Sequence, residues 1–69
     1  MGETFMIVVT DEIRIQTALK HANQVLDLCQ QKRGNFVINA IIKRDIDAVE
    51  QGDYSEIAIK RLEDARYDN

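Results

Sequence analysis

Proline is missing from this chain altogether, cysteine and histidine occur once each, and the three glycines stand far apart. Without proline, and with no internal repeat or low-complexity tract, nothing in the 69 residues reads as an interdomain linker, so a single domain over 1–69 is expected. The lone Cys29 excludes an internal disulfide, and on an apolar helical stripe it reads as a small buried hydrophobe rather than a nucleophile. His21 stands apart from Cys29 and reads as a solvated helix residue. Gly2, Gly34 and Gly52 are too scattered to form a phosphate-binding loop. Asp45, Asp47 and Asp53 beside Gly52 lack the glycine position and the final glutamate of a calcium loop. No catalytic arrangement, metal cluster or cofactor motif remains, so a non-catalytic protein without cofactor is expected.

Long apolar runs are absent too. The longest, Phe5 to Val9, falls far short of the roughly 20 residues that cross a bilayer. No basic segment precedes a hydrophobic one as in a secretory signal, and Met6 stands where a myristoylation motif wants Ser or Thr. A cytoplasmic location without membrane contact is the expectation. Up to Gly34, Arg14, Lys20, Lys32 and Arg33 balance Glu3, Asp11, Glu12 and Asp27, so the net charge of −3 belongs to the second half. That acidity argues against binding a phosphate backbone, which depends on Lys and Arg.

What is present is helical periodicity. Ile15, Ala18, Leu19, Ala22, Val25, Leu26 and Cys29 recur at steps of three and four, predicting a helix over 11–33. Thr10 is its expected N-cap, Lys32 and Arg33 suit its negative end, and Gly34 is its stop. Upstream, Thr4 to Thr10 is dense in β-branched and aromatic residues and favours a short strand, with a helical extension as the alternative. No second strand-like run follows. Such a strand would pair with its own copy or with another protein, through Phe5, Ile7 and Val9.

Asn35 can cap a second helix over 36–51, stopped by Gly52. Its apolar residues Val37, Ile38, Ile41, Ile42, Ile46, Ala48 and Val49 cover nearly half the wheel, more than one neighbour needs. Ile38, Ile42 and Val49 are therefore candidate interface residues. A third helix over 54–66 opens with Asp53 as cap, Glu56 reaching back and a Glu56–Lys60 pair. Tyr54, Ile57, Ala58, Leu62 and Ala65 form its apolar face, and Arg66-Tyr67-Asp68-Asn69 reads as a fraying end. The second and third helices each carry one charge on the side that should be buried, Asp45 and Arg61, at similar heights in a hairpin turning near Gly52. An Asp45–Arg61 ion pair is predicted. Arg33 is the alternative partner for Asp45, and a solvent gap with a snorkelling Arg61 the plainer reading.

The stretch Leu28-Cys29-Gln30-Gln31-Lys32-Arg33-Gly34-Asn35-Phe36-Val37-Ile38-Asn39-Ala40-Ile41, preceded by a short strand, resembles the ribbon-helix-helix DNA-binding family over Thr4 to Gln51. That resemblance implies a dimer whose strands form an antiparallel ribbon in the major groove. Here neither Thr4, Met6, Val8 and Thr10 nor Phe5, Ile7 and Val9 include an Arg or Lys, the first helix is longer than that family uses, and a third helix is added. The leading expectation is a mainly α protein: a short N-terminal strand or extension and three helices in a small bundle, dimeric because so short a chain buries only about 60% of its surface. It would act as a protein-binding regulator, inhibitor or adaptor, as a homo-oligomer. Met6, Val8, Ile13, Leu28 and Ile59 lie outside the stripes and would mark a binding patch if clustered.

Overall fold

The computed structural model describes residues 8–32 and 36–67. Three helices follow one another, α1 (Glu12–Gln31), α2 (Phe36–Glu50) and α3 (Glu56–Glu63), and each packs against the other two. Among the described residues no strand forms.

Each helix end has a local cause. α1 is capped by Asp11 rather than Thr10: its carboxylate accepts from the N–H groups of Ile13 at 3.0 Å and Arg14 at 3.2 Å, where a hydroxyl would offer a single weaker acceptor. α2 ends as expected at Gly52, whose φ of +113° is a conformation that side-chain-bearing residues rarely adopt. There the Gly52 N–H donates to the Val49 carbonyl and the Asp53 N–H to that of Ala48, the two bonds of a Schellman motif. α3 is capped by Ser55, not Asp53: Ser55 Oγ accepts from the Ala58 N–H. Asp53 instead accepts from the Ser55 N–H, and Glu56 cannot reach back because Arg14 holds its carboxylate. The stop expected at Gly34 and the cap expected at Asn35 lie outside the described residues, as does Arg33.

The upstream segment departs from expectation at its described end. Val8 is extended and makes one antiparallel bridge with Ser55, and the Val9 N–H donates to the Tyr54 carbonyl at 2.7 Å. These backbone groups are satisfied by the chain's own α2–α3 loop, not by a partner, and α1 does not extend back over them. Val9, expected as a pairing residue of that segment, is buried in the chain's own core. Phe5, Met6 and Ile7 lie outside the described residues.

The core joins Val9, Ile15, Ala18 and Ala22 to Ile42, Ile46, Val49, Ala58, Ile59, Leu62 and Ala65, with Leu19, Val25, Leu26 and Ile38 packed at its edge. Cys29 is fully buried, as its place on the stripe implied. Ile42 and Val49, expected at an interface, are covered by the chain's own helices. α3 is rotated from its predicted phase: Ile59 is wholly buried, whereas Ile57 is 64% exposed. Ala58, Ile59 and Leu62 share the face that meets α1 and α2, and Ile57 then points away.

Candidate functional site

The two long sides of α3 present different surroundings. Glu56 and Glu63 stand seven positions apart, two turns along one face. Both are held by Arg14 of α1. Arg14 Nη1 and Nη2 donate to Glu56 at 2.9 and 2.8 Å, while Nε and Nη2 donate to Glu63, each at 2.9 Å. The hydrogen bonds from Arg14 hold both carboxyls below the usual carboxylate range, and the two acids in turn hold the guanidinium more firmly protonated than usual. Consequently Glu56 does not pair with Lys60 as the helical spacing suggested. About a third of each of these side chains remains open to water, so the cluster is a screened surface clasp.

On the other side, α3 and the chain after it face α2 across a groove of about 490 Å³. Ile38, Ile41, Ile42 and Ala65 give it an apolar floor, and Asp45, Arg61, Asp64 and Arg66 surround it. Val37, Ile41 and Asp45 follow at steps of four along α2, and Ile57 stands one turn before Arg61 on α3. Val37, Ile41 and Ile57 are all exposed. Of these, Ile41 lines the groove.

Asp45 and Arg61 are brought to this groove together but do not meet. Among the described residues the ion pairs within 4.0 Å are those of Arg14 with Glu56 and Glu63, so the predicted Asp45–Arg61 contact does not form within the chain. The groove lies between the two helices at that height. Asp45 is half-buried on its wall and Arg61 is exposed.

The chain after α3 is also more tied down than its polarity suggested. α3 ends at Glu63, and Ala65 is buried, its carbonyl oxygen 2.8 Å from His21 Nε2, which donates to it when protonated there. His21 is therefore a tether between α1 and the residues beyond α3. The Lys32 ammonium sits 5.9 Å from the centroid of the Tyr67 ring, within cation–π range, and Tyr67 lines one end of the groove.

Of the apolar residues that fell outside the stripes, Val8 and Ile13 are exposed, Leu28 is half-buried and Ile59 is core. Among the exposed apolar residues, Ile41 lines the groove. Among the described residues no group of three or more His, Cys, Asp or Glu could hold a metal ion, and no helix is long and apolar enough to cross a membrane. No family model, curated protein or solved structure matches the chain.

Proposed function

We propose that this protein is a small, non-catalytic protein-binding module, a regulator, inhibitor or adaptor, that acts as a homo-oligomer and binds through the open α2–α3 face. The observation that carries this reading is the exposed Ile41 beside Ile38 and Ile42 on the apolar lining of the groove. Apolar surface gathered on one face and rimmed by charge is the composition of an interaction site. The groove's lining pairs an apolar floor with two acids and two bases, a composition suited to association.

The ribbon-helix-helix alternative has less support. A ribbon needs the backbone of the first segment free to pair between subunits, and Val9 gives its N–H to Tyr54. Two measurements test the choice. Size-exclusion chromatography with light scattering over a dilution series is expected to return a mass above the 7.9 kDa of one chain. A monodisperse monomer at micromolar concentration would remove the homo-oligomer. Passage through heparin and DNA columns at low salt without retention is the second expected result, whereas retention with a steep salt dependence would favour the ribbon reading.

A further inference from the structure

Resting on that protein-binding reading, we propose that the occupant of the α2–α3 groove is the same groove of a second copy of this chain. The two copies pack about a two-fold axis, so that α2 of one lies over α3 of the other and Asp45 of each copy meets Arg61 of the other.

A two-fold contact places a patch against itself, so the patch must be self-complementary. This one is. Asp45 and Asp64 are matched in number by Arg61 and Arg66, and none of the four is in an ion pair among the described residues. A partner carrying charge of a single sign would set like charges against half of the rim, while a second copy offers each acid a base and each base an acid. The chain's net charge is −3 but the groove's four charges cancel, so mutual repulsion between copies is weaker here than on the rest of the surface. Ile38 and Ile41 would supply the apolar centre, and the charges an outer ring.

This arrangement also accounts for the two charges placed on otherwise apolar helical faces. Within one chain Asp45 and Arg61 stand on the groove without meeting. Across the two-fold each finds its opposite, twice per dimer.

The test is sedimentation equilibrium of the full chain, comparing wild type with Asp45→Arg, Arg61→Asp, an equimolar mixture of those two, and Ile41→Asp. Circular dichroism melts establish that each variant is folded. Because Ile41, Asp45 and Arg61 lie outside the buried core, these substitutions are compatible with folding. Asp45→Arg and Arg61→Asp are each expected to raise the dissociation constant by about tenfold or more, through two like-charge crossings per dimer, and Ile41→Asp by a similar factor, through a carboxylate in the apolar centre. Mixing the two charge variants restores opposite charges at both crossings, and a heterodimer of near wild-type affinity is expected; a contact within one chain could not be repaired by mixing. Should Ile41→Asp not fold, Ile41→Ser is the substitute for weakening the apolar centre.

A wild-type dimer that ignores the charge variants, or a mixture that does not recover, would overturn the groove-to-groove geometry and leave the homo-oligomer reading standing. A wild type that stays monomeric throughout would overturn both.

Discussion

Along one side of α3, Glu56 and Glu63 are both gripped by Arg14 of α1; along the other, Arg61 and Asp64 face Asp45 of α2 across a groove and are in no ion pair among the described residues. The side toward α1 is complete within the chain. The side toward α2 has an apolar floor and, among the described residues, charges in no ion pair. α3 is only eight residues long, so one side closes the bundle while the other borders the groove, the face on which we propose a second copy docks.

The closed side can be broken most severely at Ile59. It is wholly buried, and Ile59→Ala is expected to cost about 2–5 kcal/mol in urea unfolding because the α1–α2–α3 seam cannot collapse around the missing atoms. A loss comparable to a surface substitution would show that the closed side is not tightly packed. Next comes Ser55→Ala, which removes the acceptor for the Ala58 N–H and should cost about 1 kcal/mol in the same assay.

The Arg14 clasp sharpens the comparison through pH. Glu56 and Glu63 have folded values below the ordinary carboxylate range, so their stabilising contribution is whole above that range. It disappears as pH falls through the lowered folded values. Arg14→Leu should therefore flatten the acid side of the stability profile, and the difference from wild type should shrink with added salt, since these groups are partly open to solvent. An unchanged acid limb would mean the clasp contributes nothing in solution. The smallest effect belongs to the open side: Ile41→Ser is expected to leave monomer stability within about 0.5 kcal/mol of wild type, measured in dilute protein where association does not contribute. A large loss there would show that the groove is part of the fold.

Much of the architecture was legible in the chain itself. Three amphipathic segments separated by turn and cap residues define three helices, and the stripe from Ile15 to Cys29 is the buried stripe observed. Asp45 and Arg61, singled out as charges on apolar faces, do share a groove. The phase of α3 was not legible, because eight residues accommodate either of two apolar stripes and the choice depends on where Ser55 caps. Nor was the Arg14 clasp. Arg14 resembles every other polar-face residue of α1, and only the register between α1 and α3 selects it to meet Glu56 and Glu63. The one signal in the sequence was the two-turn spacing of those acids. His21 and Tyr67 were missed for the same reason, since their partners Ala65 and Lys32 are distant in sequence.

A dilution series followed by amide NMR tests the division of α3 most directly. If the open side is where a second copy docks, amide shifts should change with concentration at Val37, Ile38, Ile41, Asp45, Ile57, Arg61 and Asp64, and stay fixed at Arg14, Glu56 and Glu63. Shifts that do not move with concentration anywhere, or that move along the α1 side while the groove stays silent, would contradict it.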